Sequence, residues 1–185
     1  MNEHRGGEYR KQDVYVTRDD NEIFENRVFI PPKASRLPYL MRHFTEYYNR
    51  AEDEDNVIDH PFIKSSIAHF LFLHIHPFVD GNGRMSRALA HSKLWKSSSK
   101  RFINTKQPVL FMSHGYKRNI MTYFKNLGIL DENLDDSNAW NGWFKFQLDM
   151  MTEQTYYLTN AVEEIGLEPK VPRPKSRTKI SKIFS

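Results

Sequence analysis

The chain has 185 residues, 39% of them hydrophobic, no cysteine and a formal net charge of +4. That size and apolar content suffice for one domain with a buried core, and the lack of cysteine excludes a disulfide framework and suits a reducing cytoplasm. No run approaches the ~18 apolar residues of a membrane span, and the opening Met1-Asn2-Glu3-His4-Arg5 has no apolar signal region.

The charge is unevenly spread. Residues 166–185 hold six Lys or Arg against the lone acid Glu168, which leaves residues 1–165 at a net −1. The basic character therefore belongs to a proline-punctuated tail, whose composition is that of a solvated, disordered segment or linker. One domain over residues 1–165 with a tail over 166–185 is the expected organisation, in a cytoplasmic protein with no membrane attachment.

Residues 1–12 are polar and read as irregular. Val14-Tyr15-Val16 and Val28-Phe29-Ile30 are two short β segments around Asp19-Asp20-Asn21, with Pro31-Pro32 ending the second, which predicts a hairpin. A helix follows over 37–51, with Leu37, Leu40, Met41, Phe44, Tyr47 and Tyr48 on one side. Residues 52–59 form an acidic connection. His60-Pro61-Phe62 then reads as a helix start with Pro61 in the first turn. The apolar run from Phe62 to Ile75 places Ile63, Ile67, Phe70, Leu71 and His74 at helical spacing, and Met85, Leu89, Ala90 and Leu94 repeat that period beyond a short break. Residues 96–100 read as a turn, 113–127 as a helix closed by Gly128, and 138–165 as a last long helix carrying Trp140, Trp143, Phe144 and Phe146. The fold class is mainly α, with a small β-hairpin flap.

The break holds the chemistry: His76-Pro77-Phe78-Val79-Asp80-Gly81-Asn82-Gly83-Arg84-Met85-Ser86-Arg87. Pro77 stops the first helix. Gly81, Asn82 and Gly83 can turn successive backbone N–H groups into one concavity at the positive end of the next helix, a seat for phosphate. Arg84 and Arg87, three apart, share a helix face and can fork onto phosphate oxygens. Asp80 is a hard oxygen ligand suited to Mg²⁺, and His76 can take a proton from a hydroxyl if neighbouring arginines keep it neutral.

The same twelve residues resemble the signature of the Fic (filamentation induced by cAMP) family, H-P-F-x-x-G-N-G-R-x-x-R, at every defined position. The resemblance spans about residues 7–150 and implies a Fic-like helical bundle with a β-hairpin flap beside the active site. It implies a protein adenylyltransferase that moves AMP from Mg-ATP to a Ser, Thr or Tyr hydroxyl of a target protein and releases pyrophosphate. In that reading His76 is the base, and Gly81, Asn82, Gly83, Arg84 and Arg87 hold the nucleotide phosphates. Asp80 holds the metal, Val28 and Phe29 form the active-site edge of the flap, and Tyr123 lines the adenine side. Gly7-Glu8-Tyr9-Arg10 is similar to the G-x-Y-R segment that opens the core in many Fic proteins.

Other readings stay open. Family members that transfer a terminal phosphate carry Lys where this chain has Gly83, yet transfer of another nucleotide, or removal of AMP, is compatible with the same residues. Thr159-Asn160-Ala161-Val162-Glu163-Glu164 only half-fits the family's inhibitory S/T-x-x-x-E-G/N and reads as helix surface, so inhibition would come from a separate antitoxin or a missing segment. A module of another class, binding nucleic acid or a partner through the basic tail, finds no recognition-helix pattern and a neutral body against it. Zinc has no H-E-x-x-H and no cysteine to hold it.

Overall fold

The computed structural model describes residues 7–16, 29–51, 56–101 and 113–166. Six α-helices carry the fold: α1 Leu37–Asn49, α2 Pro61–Ile75, α3 Asn82–Arg101, α4 Ser113–Arg118, α5 Ile120–Glu132 and α6 Ser137–Glu164. Short 3-10 turns, Ala34–Arg36 and Val57–Asp59, precede α1 and α2.

Helix α2 is the centre. Pro61 starts it, and the His60 ring accepts the Phe62 N–H at 3.3 Å, so two helix-start devices act together. Nine of its residues are buried, on every side of the helix, as befits an element covered all round. Its Ala68, Phe72 and Ile75 pack with Leu37, Met41 and Phe44 of α1. Its Phe70 packs with Tyr116, Tyr123, Leu130, Ala139, Trp143, Phe146 and Met150 from α4, α5 and α6. The Trp143 indole N–H donates to the Ser66 carbonyl at 2.9 Å, tying α6 to α2 through a polar contact inside the core. Burial of Lys64 is offset by its ammonium donating to the Arg50 carbonyl at 2.6 Å, with Asp59 3.5 Å away.

Several sequence expectations need correction. Residues 96–100 do not turn: α3 runs on to Arg101. The helix expected over 113–127 is two helices, α4 and α5, meeting at Asn119, and Gly128 lies inside α5 instead of closing it. The last helix appears as foreseen, with the Asp136 carboxylate accepting the Asn138 N–H at 2.8 Å as its cap. Of the hairpin, a single antiparallel bridge is seen, Val16 with Phe29, closed by bonds of 3.0 and 3.1 Å. Its Asp19–Asn21 turn and Val28 lie outside the described residues, as do residues 167–185 of the tail. Among the described residues no helix is long and apolar enough to cross a membrane.

Candidate active site

The α2–α3 connection begins with a backbone reversal at His76, which sits in the left-handed region (φ 51°, ψ 59°) and caps α2. Among the described residues it is the one non-glycine with positive φ, a conformation a residue keeps only when its surroundings over-determine it. Three contacts do so. The His76 N–H donates to Phe72 O at 3.1 Å, Arg10 Nε donates to His76 O at 2.8 Å, and the Arg10 N–H donates to Pro77 O at 2.9 Å. Arg10 is 3% exposed, and its other guanidinium nitrogens donate to Gln12 O (3.0 Å) and Pro32 O. One buried cation therefore ties the N-terminal segment, the exit of α2 and the Pro32 carbonyl ahead of α1 together.

The reversal turns the His76 ring so that Nδ1 lies 3.3 Å from the Leu73 carbonyl. A carbonyl only accepts, so Nδ1 carries the hydrogen and Nε2 keeps its lone pair. Burial depresses the imidazole pKa below its ordinary 6.5, the Leu73 contact pulls it partly back, and the Arg10 charge depresses it further. A neutral ring results. The cation responsible is Arg10, however, and not the Arg84 and Arg87 expected from the motif.

Beyond Pro77, which is buried, Asn82 holds the turn shut. Its side chain accepts the Phe78 N–H at 3.0 Å and donates to the Phe78 carbonyl at 2.8 Å, and it is 2% exposed. Its amide is thus committed to the loop, and what Asn82 can offer a ligand is its backbone N–H. Phe78 packs against Phe72 and Tyr9, with ring centroids 6.1 Å away in each case. Gly81 takes φ +86°, and the Met85 N–H returns to Gly81 O as the first bond of α3. The N–H groups of the opening turn of α3 have no carbonyl within the helix to bond, which aims them and the helix dipole at the loop.

The charged residues flank this turn. Asp80 is 88% exposed at its side chain; it accepts the Gly81 N–H at 2.5 Å and the Arg84 guanidinium at 3.0 Å. Arg84 lies against Gly81, 3.6 Å from where a Cβ there would stand, and Arg87 against Gly83, at 3.3 Å. No cluster of three or more His, Cys, Asp or Glu occurs among the described residues, so Asp80 is a single exposed carboxylate. That donor set suits Mg²⁺ held jointly with substrate phosphates.

Two expected nucleotide contacts fall differently. Phe29 is partly buried, its ring 5.7 Å from that of His74, so the segment carrying Phe29 rests on the last turn of α2, two residues before His76. Tyr123 is 3% exposed and packed among Tyr116, Trp143 and Phe146, which leaves it no surface for an adenine. The aromatic stripe of α5 is core. Glu163 and Glu164 are exposed at the end of α6, in keeping with helix surface.

The Fic/DOC family model matches residues 1–94, half of the chain and the whole of the site just described. The chain belongs to the Fic/DOC family. It is 37% identical over 102 residues to the proteins named protein adenylyltransferase Fic of Drosophila mojavensis and Drosophila melanogaster, a match covering 55% of this chain and 18% of each of those. The chain thus spans under a fifth of the length of the curated relatives it matches. Two solved structures share the Fic fold. One is a Fic family protein from Desulfovibrio desulfuricans G20 (TM-score 0.61, 24% identity, covering 89% of this chain and 43% of that one). The other is a Fic domain containing signaling protein from Bacteroides thetaiotaomicron VPI-5482 (TM-score 0.59, 19% identity, covering 91% and 58%).

The residue that sequence reading passed over is Arg10. It stood in the G-x-Y-R segment as a marker of where the domain opens, with no partner assigned.

Proposed function

We propose that this Fic domain is a protein adenylyltransferase, transferring AMP from Mg-ATP to a Ser, Thr or Tyr hydroxyl of another protein. The observation that carries the reading is the His76 ring: neutral, pinned through Nδ1, its Nε2 free, and joined by a five-residue turn to the N-terminus of α3. The hydroxyl gives its proton to Nε2 as its oxygen bonds to the α-phosphorus. The bond from that phosphorus to the bridging oxygen breaks, and pyrophosphate leaves with the electron pair. The N–H groups of Asn82 and Gly83 and the Arg84 guanidinium hold the inner phosphates, the Gly81 N–H being taken by the Asp80 carboxylate; Arg87 holds the terminal one and so sets the line of departure. Asp80 would hold Mg²⁺, which neutralises phosphate charge when bound.

Base catalysis of this kind contributes roughly 10²–10⁴ in rate. His76→Ala is therefore expected to abolish transfer of label from α-labelled ATP while Mg-ATP binding, followed by calorimetry, stays within about twofold. Intact-mass analysis with ATP should show self-modification by one AMP in the unaltered chain and none in the variant. Normal label transfer by the Ala variant would remove His76 as the base. In this reading the protein acts in the cytoplasm, and a separate partner protein supplies its inhibition.

A further inference from the structure

Two residues ahead of His76, the His74 ring stands at the exit of α2 between three neighbours. Its Nδ1 lies 2.7 Å from Asp131 Oδ1, in the last turn of α5. Its plane stacks on Phe70 of the same helix, with centroids 5.6 Å apart and 27° between planes. Phe29 leans on it at 5.7 Å and 47°. Both members of the polar pair are largely covered, the His74 side chain 26% and the Asp131 side chain 19% exposed.

A carboxylate only accepts, so His74 Nδ1 carries the hydrogen, and the bond fixes the plane of the ring. Asp131 stands at the negative end of the α5 dipole, where a carboxylate gains nothing from the helix and needs a donor from elsewhere. Packing alone would be served by phenylalanine at position 74; histidine adds a hydrogen bond that stops the ring from turning. What rests on this fixed ring is the bridge between Val16 and Phe29. Both backbone groups of Phe29 are spent on Val16, at 3.0 and 3.1 Å, so its place on α2 is set by its side chain. Alternation along a strand turns the backbone groups of Ile30 the other way, and Ile30 is 67% exposed. A short open edge therefore lies next to the exit of α2, close to the base that an acceptor hydroxyl has to reach.

We infer that His74, held by Asp131, is the positioning residue for the segment carrying Phe29, and that this seat serves the protein acceptor and not Mg-ATP. The inference rests on the proposed role of His76 as the base. Removing the seat leaves the phosphate-holding groups, which begin at Asn82 beyond Pro77, where they are. It takes away a surface along which a protein hydroxyl is brought to His76 Nε2. Water needs no such surface. It can give its proton to Nε2 as its oxygen bonds to the α-phosphorus, with pyrophosphate leaving as before and free AMP as the product.

The test compares the full chain unaltered and as His74→Ala, Asp131→Ala and Asp131→Asn, the last of which keeps an acceptor for Nδ1–H. Amide hydrogen exchange reads the seat itself. The Val16 and Phe29 N–H groups, bonded to each other's residues across the bridge, should exchange about 3- to 10-fold faster in both alanine variants and near the original rate in Asp131→Asn, while the amides of α2 hold. Activity reads its use. With α-labelled Mg-ATP, self-modification followed by intact mass should fall about 10-fold in both alanine variants, with AMP release to water and calorimetric Mg-ATP affinity within about twofold. Unchanged exchange at Val16 and Phe29 in His74→Ala would overturn the seat. Faster exchange throughout α2 would do the same, by making His74 a support of the helix alone. Equal loss of AMP transfer to protein and to water, or weakened Mg-ATP binding, would overturn its service to the acceptor. If the unaltered chain yields neither modified protein nor free AMP, the proposed function fails and takes the acceptor role with it, and the exchange rates still decide the seat. Should His74→Ala not fold, His74→Gln, which keeps a donor for Asp131 and loses the ring, takes its place with the same expected outcomes.

Discussion

Replacing Arg10 by Met should damage the site without touching the phosphate turn. Met fills much of the buried stem but leaves the carbonyls of His76, Gln12 and Pro32 without their charged donor. A hydrogen bond to a charged group is worth about 1.5–3 kcal/mol, and water reaching part of the gap keeps three from adding, so a loss of about 2–4 kcal/mol is expected. In a chain of this size that lowers the melting temperature by about 5–15 °C. The left-handed backbone at His76, itself costing on the order of 1 kcal/mol, loses one of the bonds that hold it. A displacement of the ring by about 1 Å can cost 10²-fold in rate. The pH profile supplies the sharper readout. Arg10 is one of the two causes depressing the His76 pKa, so its removal raises that pKa, while burial, the larger cause, still keeps it below the ordinary value. The acid limb of the AMP-transfer profile should move to higher pH. Arg10→Lys keeps the charge and loses the three-way fork; it should lower the rate while leaving the acid limb in place. An Arg10→Met protein with unaltered rate and unaltered acid limb would refute the reasoning.

Three further outcomes follow from the same contacts. Asn82→Asp keeps the acceptor for Phe78 N–H and loses the donor to Phe78 O, so it should destabilise the chain by about 1–3 kcal/mol in urea unfolding and weaken Mg-ATP binding by loosening the turn. Gly83→Ala should leave stability unchanged or raise it by up to about 1 kcal/mol, because alanine suits a helix better. The added methyl meets Arg87 Nη1 at 3.3 Å, so Mg-ATP affinity should fall in the same protein whose melting temperature holds. His69 is pushed down to about 3 from 6.5, so its neutral form stabilises the fold fully above pH 6.5. Below that the unfolded chain takes up a proton that the folded one refuses, and stability falls by about 1.4 kcal/mol per pH unit toward pH 3. His69→Gln should make the decline between pH 6.5 and 4.5 shallower by about that amount, read from urea midpoints across the range.

What could be read from the sequence is what lies close together in it. The turn is legible because its glycines, its clamp and its charged residues fall within twelve positions, and because Pro61 and Pro77 mark both ends of α2. The errors come from weighing local propensity against packing. Serines 97–99 and Gly128 each disfavour helix by about 1 kcal/mol or less, too little to end α3 or α5. Tyr123 was rightly placed in an aromatic stripe, but a stripe does not say what it faces, and α6 covers it. Arg10 was the hardest to foresee. It meets His76 across 66 residues, and every acceptor of its side-chain hydrogen bonds is a backbone carbonyl, which leaves no trace in side-chain identity.

These contacts also explain why twelve residues alone would make a poor active site. A glycine-rich turn is entropically expensive to hold, and a histidine in the left-handed region would relax if left to itself. Its entry is instead fixed from a distant part of the chain, His76 by Arg10 from the N-terminal segment. Within the turn Asn82 closes the loop on Phe78. The two devices differ in kind, since one is a buried cation holding backbone carbonyls and the other a neutral amide that both accepts from and donates to one residue. They should therefore fail separately. Losing Arg10 should impair proton transfer with nucleotide binding intact, and losing the Asn82 amide donor should weaken Mg-ATP binding with the His76 acid limb intact. A chain in which both substitutions lowered kcat and nucleotide affinity in fixed proportion would instead have a single loosened fold, with no division of labour between Arg10 and Asn82.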